Sequence, residues 1–357
     1  MAVFRTGTIA EIIEERSDLV TVAVTVGEEI VEAVGFPSML PGALEVGHRV
    51  VVNTTGLDLD LGTGGQGFIL WNLDGDDGVE AGPGHIVKMR YTPWQLNVLA
   101  AEAPESEHRG PLETARELDG TPVVVCGLHS QVAAAVAGIK GARPDVRVGY
   151  LMTDGGALPL AWSRSIRRLR DEDLIDVTAT CGHSFGGDLE CINVYTGLLA
   201  LRYAGGAEVI VVAMGPGVVG TGTALGFSAM EQGQVLDAVT AVAGRSIAAL
   251  RISFADERVR HLGVSHHTLT ALTVAAREAT TVVVPALPPE RGSAVEEQLR
   301  EAGITDRHQV VVHDGGPGLR LLGSKGLRPS TMGRSIDADP ELFVAASAAG
   351  AFAASLL

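Results

Sequence analysis

The sequence predicts an α/β protein: a doubly wound, mostly parallel sheet preceded by a smaller all-β, barrel-like domain. Three observations predict it. From Pro122 onward, short Val/Ile runs alternate with segments of helical periodicity. The first 90 residues instead hold β-branched runs separated by tight turns. The 357 residues also exceed the usual size of one domain. Apolar residues make up 46% and aromatics only 4%, so the core falls to Val, Ala, Leu and Ile.

The elements follow in order. DLVTVAVTV (18–26), EIVEAVGF (29–36), GHRVVVNTT (47–55) and GFILWN (67–72) read as strands, with turns at Pro41-Gly42 and at the glycine cluster 62–67. Short strands on short connections predict a small OB-like or SH3-like barrel over residues 1–90. Residues 91–120 read as a linker, polar and proline-interrupted at AEAPESEHRGP, with one helical turn in TARELDG. Residues 121–318 form the doubly wound domain. Its strands are PVVVCG, VRVGYLM, LIDVTATCG, AEVIVVAMG, SIAALRIS, TTVVVPA and HQVVVHD. Continuous apolar runs of this kind belong to strands covered on both faces, hence to a parallel sheet between helix layers. Residues 319–357 are an extension ending in a packed apolar helix, LFVAASAAGAFAASLL, which also suggests a homo-oligomer contact.

Charge and cysteine content narrow the function. A net charge of −16 disfavours nucleic acid and anionic membrane surfaces, which need a positive face. The basic run RSIRRLR reads as a solvated helix face. Three cysteines are too few for a disulfide framework and fit a reducing cytoplasm. The N-terminus has early charge and no apolar core of a signal peptide, and no run suits a transmembrane helix.

Unusual residues cluster after the strands. GLHSQ, TDGGALP, CGHSFGGDLE, GPGVVGTGTALG, SFADERVRHLGVSHHT and HDGGPG all follow apolar runs, and they hold six of the ten histidines: His129, His183, His261, His266, His267 and His313. In a parallel sheet such loops share one edge, where ligands bind. Gly215, Gly217 and Gly220, with Thr221, Gly222 and Thr223, are candidates to cradle a phosphate or carboxylate at a helix start. The alternative is a glycine-rich turn packed close to a neighbour. A dinucleotide fingerprint wants an acid about 20 residues on, whereas Asp256 stands 36 residues after Gly220 and Pro216 interrupts the turn. No P-loop lysine follows.

His183, His266 and His267 are candidate acid/base groups, with Asp154, Asp188 and Glu190 to orient them. No metal site is expected. His266 and His267 are adjacent, so in a helix they face different ways, and at most one joins His261. Neither Ser184 nor Ser265 lies in G-x-S-x-G, and Cys181 reads as buried and inert. Three further clusters offer anion contacts or plain surface charge: Thr54, Thr55, Asp58 and Asp60; Lys88 and Arg90 on one strand face; and Lys325, Arg328, Ser330, Thr331 and Arg334.

HLGVSHHTLTAL, with NTTGLDLDLGTGGQGF, GHIVKMRYTP, TDGGALPLA, GHSFGGDLE, GPGVVGTGT and PSTMGR, resembles a bacterial family, domain of unknown function 3866, over nearly the whole length. The resemblance implies a cytoplasmic, stand-alone bacterial protein and carries no activity with it. GTGTALG is also similar to the glycine–threonine loop of tubulin-like GTPases, with no further support in the chain. The expected function is a small-molecule enzyme that holds an anionic metabolite at the post-strand edge and uses histidine acid/base chemistry. The alternatives are a non-catalytic nucleotide- or metabolite-binding module and a structural homodimer. No cofactor can be named from the sequence.

Overall fold

The computed structural model describes residues 1–61, 64–76 and 82–357, which form two units, Met1–Val98 and Leu99–Leu357. Gly62 and Thr63 of the glycine-rich turn lie outside the described residues.

In the first unit, strands β1 (Phe4–Glu15), β2 (Val20–Val26), β3 (Glu29–Gly35), β4 (Arg49–Asn53) and β5 (Gly67–Asn72) close a barrel in the order β1-β2-β3-β5-β4. All neighbours are antiparallel except β3 and β5, so the chain crosses over instead of meandering. Of the two small barrels expected, this is the OB-like one. Strand alternation turns Ile9, Val22, Val24, Val50, Val52 and Ile69 inward.

The helix α1 (Thr55–Asp58) follows β4. It absorbs the hydroxyl and acid cluster, because Thr54 Oγ donates to Asp58 at 2.9 Å and the Thr55 hydroxyl donates to Asn53 at 2.6 Å. Strands β6 (Ile86–Lys88) and β7 (Leu96–Val98) pair separately. Lys88 and Arg90 do not share a strand face as expected. Lys88 is buried at the strand's last position, Met89 has φ 50°, and Arg90 is exposed beyond the bend.

The second unit opens with α2 (Arg109–Thr114), β8 (Pro122–Cys126), α3 (Val132–Ala142), β9 (Val148–Thr153) and α4 (Arg164–Asp171). It continues through β10 (Val177–Thr180), β11 (Leu189–Glu190), α5 (Val194–Tyr203), β12 (Val209–Met214), α6 (Glu231–Ala241), β13 (Arg245–Ala249), β14 (Ile252–Ser253), β15 (Gly263–Val264) and α7 (His266–Thr270). Then come β16 (Thr281–Pro285), α8 (Pro289–Glu301), α9 (Ile304–Arg307), β17 (Gln309–His313), α10 (Gly316–Ser324), β18 (Ser330–Thr331), β19 (Arg334–Ser335) and α11 (Pro340–Ser355).

The doubly wound reading holds. Eight parallel strands run in the order β11-β10-β9-β12-β8-β13-β16-β17. Alternation along each strand feeds two cores. Val124, Tyr150 and Val211 face α3, α4, α10 and α11, while Val123, Leu151 and Val212 face α5, α6 and α8. The chain lays β9, β10 and β11 to one side, then returns to insert β12 beside β8 before running out through β13, β16 and β17. After β8 it leaves to the α3 face and after β12 to the α6 face. A crevice therefore opens at the carboxyl ends of these central strands, where such sheets bind ligands.

On α4 the arginines of RSIRRLR are exposed while Ile166 and Leu169 are buried, the solvated face expected. The apolar helix α11 is buried along most of its length against α3, α10 and the sheet of its own unit. Its contact with α3 is backbone to backbone, since a Cβ at Gly350 would overlap the Ala135 carbonyl and one at Gly138 the Ser347 carbonyl. No described helix is long and apolar enough to cross a membrane.

Candidate functional site

The carboxyl end of β13 is fastened to its neighbours. Gln232 Nε2 donates to Val125 O and Ala249 O, each at 2.9 Å, and Gln131 Nε2 donates to Leu250 O at 2.8 Å. From there the chain makes an ear of antiparallel β14 and β15 and re-enters through α7. Ser265, fully buried, caps α7: its Oγ accepts from His267 N–H at 3.3 Å and lies 2.7 Å from His261 Nδ1.

One serine thus ties His261 to the start of the helix that carries His266 and His267. The ring centroids of His261, His266 and His267 stand 5.1, 4.9 and 4.4 Å apart, and one nitrogen from each lies within 4.8 Å of the others. The expectation that His266 and His267 diverge is corrected. Both occupy the first turn of a five-residue helix, where no preceding turn separates their rings, so both swing toward His261. Phe227 covers the group, stacked on His267 at 4.0 Å and edge-on to His266 at 5.4 Å.

The surroundings are cationic within an acidic chain. Arg251 is 5% exposed, and its NH1 donates to His267 Nδ1 at 3.3 Å, while its Nε is buried with no partner. Arg258 chelates Asp256 through 2.9 and 2.8 Å bonds, which hold that carboxyl well below the usual range. Arg334, from the C-terminal cluster singled out in the sequence, bonds Asp339 at 3.0 Å and Asp256 at 3.3 Å. Arg260 donates to Gly222 O at 3.5 Å and to His261 Nε2 at 3.4 Å. Three of these arginines pair with the two aspartates, Arg251 reaching Asp256 at 3.6 Å, and Arg260 adds a fourth cation beside them.

Burial, aided by Arg251 and Arg258, pushes His261 down to about 4, and burial with Arg251 takes His267 to about 3. Burial and the arginines lower His266 too. At neutral pH all three rings are neutral, which suits a hydrogen-bond acceptor or a metal ligand and not a resident acid. Gly127, Leu128, Gln232, Arg251, His267 and Thr268 line a narrow, tightly packed crevice beside the group.

The glycine loop differs from its expected form. Gly215 follows β12, but α6 begins only at Glu231. Between them the chain folds into a hairpin, with Gly220 bridged to Phe227, Thr221 N–H bonded to Gly226 O at 2.8 Å, and the Thr221 and Thr223 hydroxyls 3.0 Å apart. Thr221 and Thr223 are not at a helix start, and much of their bonding is internal. Gly215 is small for another reason: a Cβ there would overlap the Ala157 carbonyl, while Ala157 N–H bonds Pro216 O at 2.7 Å. Gly217 (φ 103°) and Gly222 (φ 78°) supply left-handed turns. The hairpin's part is to carry Phe227 over the histidines.

Other candidates fall elsewhere. His183 donates its backbone N–H to Asp154 at 2.9 Å. Asp188 accepts from Thr178 N–H and Oγ and pairs with Arg170, and Glu190 accepts from Thr180 and Gly186. These acids shape the β10–β11 edge and do not orient His266 or His267. Four strand spacings, about 19 Å, separate β10 from β13. His313 is on edge strand β17 against Phe352. His129 is buried, with Nδ1 3.1 Å from Met214 O and Nε2 accepting from Ser163 at 2.6 Å. Cys181 is buried as expected.

Sequence reasoning missed Arg251 and Phe227. Arg251 stood in view, a lone basic residue ending the apolar run SIAALRIS. Phe227 carried no signal of its own.

No curated protein matches this chain. The model of a family described as protein of unknown function, DUF3866, matches residues 32–350. With the motifs above embedded in that span, the chain belongs to this family.

Proposed function

We propose that the protein is an enzyme acting on a small anionic metabolite, a phosphate or carboxylate, held in the crevice at the carboxyl ends of β8, β12 and β13. One observation carries the reading: a buried arginine with an unsatisfied Nε, among four arginines and two aspartates, at the ligand-binding edge of a parallel sheet in a chain of net charge −16. An anion would complete the hydrogen bonds of Arg251 and offset the local positive charge. The neutral histidines beside it supply hydrogen-bond acceptors for the reacting group, and an anion that offsets the arginines would raise their proton affinity toward the range of acid/base work. Three buried free thiols fit work in a reducing compartment, the cytoplasm. The barrel unit is not read as an oligonucleotide binder, because residues 1–98 hold five basic against fourteen acidic side chains.

The test is a thermal-shift screen of phosphorylated and carboxylated metabolites on the full chain, Arg251→Gln and Arg260→Gln. Stabilisation of the full chain that shrinks in both variants supports the reading. A blank across the set with folded protein overturns it.

A further inference from the structure

The geometry points to a second property of the same crevice, resting on the reading just proposed: His261, His266 and His267 form a three-histidine centre for a zinc-class transition-metal ion, with its open position beside Arg251. Three ring nitrogens already lie within 4.8 Å of one another. Ligands about 2.1 Å from one tetrahedral ion stand about 3.4 Å apart, so small rotations of the rings close the site without moving the backbone.

The scaffold is fixed before any ion arrives. Ser265 caps α7 and pairs with His261 Nδ1, the type of outer contact that fixes a ligating imidazole's tautomer. His266 Nε2 is buried and has no hydrogen-bond partner. A buried ring nitrogen left without a partner loses its hydration uncompensated, and a metal bond would satisfy it. Among the described residues the group numbers three ligands, the composition of catalytic zinc sites, which keep one position for water or substrate. Phe227 shields the rings on the hairpin side.

Arg251 ties the ion to the anion. A guanidinium can only donate, so a neutral His267 ring accepting from it at Nδ1 has its proton at Nε2 and no second lone pair. Loading a metal on His261 Nε2 and on His267 takes Arg260 and Arg251 off those rings and frees both toward the crevice. Four arginines also repel a bare cation, whereas an anion in the open position neutralises both. Metal and anion should therefore raise each other's affinity by the same factor.

The experiment titrates the full chain, freed of metal by chelator and dialysis, with Co²⁺, reading its visible ligand-field absorption, and then with Zn²⁺ in competition. One ion per chain is expected, with His266→Gln and His267→Asn each weakening binding by at least about 100-fold and His313→Ala, on edge strand β17 against Phe352, leaving it unchanged. Inorganic phosphate should tighten Co²⁺ and alter its spectrum, and Arg251→Gln should abolish that effect. Absence of stoichiometric Co²⁺ or Zn²⁺, or binding undiminished in both histidine variants, overturns the centre. If the chelator-treated chain still answers anions in the thermal-shift screen, the metal alone falls. If Co²⁺ loads and no anion perturbs it, the anion falls and the three-histidine centre stands.

Discussion

Acid should weaken the second unit through one buried ring. His129 joins the β12 end to the α4 cap, since its Nδ1–H meets Met214 O and its Nε2 accepts from Ser163, whose Oγ also accepts the Ile166 N–H. Burial lowers its pKa from 6.5 to about 4 despite the Met214 carbonyl. The unfolded chain then takes up the proton first as pH drops. The ring's contribution is complete above pH 6.5, shrinks as pH falls and is gone below about pH 4. A gap of that width at 1.36 kcal/mol per pKa unit gives about 3 kcal/mol. The assay is urea unfolding at a series of pH values between these limits. Trp71 and Trp94 are replaced by Phe, so that Trp162, next to Ser163, reports the second unit alone. His129→Gln cannot titrate and should lose less stability over that range, by about 3 kcal/mol, whatever it loses at neutral pH. Equal losses in the two proteins would refute the account.

Packing supplies two further predictions. Gly350→Ala should destabilise the second unit by about 3 kcal/mol, because its Cβ would meet the Ala135 backbone. Gly323→Ala, in α10 with open space around it, should be neutral or stabilising, and equal urea midpoints for the two variants would discredit the α3–α11 contact. Ser265→Ala should cost about 1–2 kcal/mol through the lost α7 cap, and the Trp162 unfolding curve would expose an intact cap by not moving.

Much of the fold was legible because it obeys local rules. Each of the seven apolar runs became a strand of the parallel sheet, since strands covered on both faces read as near-continuous Val, Ile and Ala runs, with the buried threonines of β10 and the part-exposed edge strand β17 as departures. The eighth strand, Leu189–Glu190, is too short to leave such a run. The site was legible only in part. HLGVSHH announced three of its side chains, but helical periodicity misjudged His266 and His267, because α7 has little more than one turn. Arg251 and Phe227 join them by tertiary packing across segments 24 residues apart in sequence, and no local pattern encodes that meeting. The Gly215–Thr223 loop was legible as a turn and not as a hairpin, because glycine spacing speaks for tight turns and leaves the pairing of Gly220 with Phe227 unstated.

The burial of α11 sets an order on biosynthesis. Gly350 meets Ala135 across 215 residues of chain, so the α3 layer emerges from the ribosome long before its cover. The barrel has all its strands once Asn72 is made and can mature during translation. The α/β unit meanwhile waits as an unfinished intermediate with a greasy, glycine-notched flank, a natural client for chaperones. Premature stops before Pro340 should therefore aggregate, not merely lose activity.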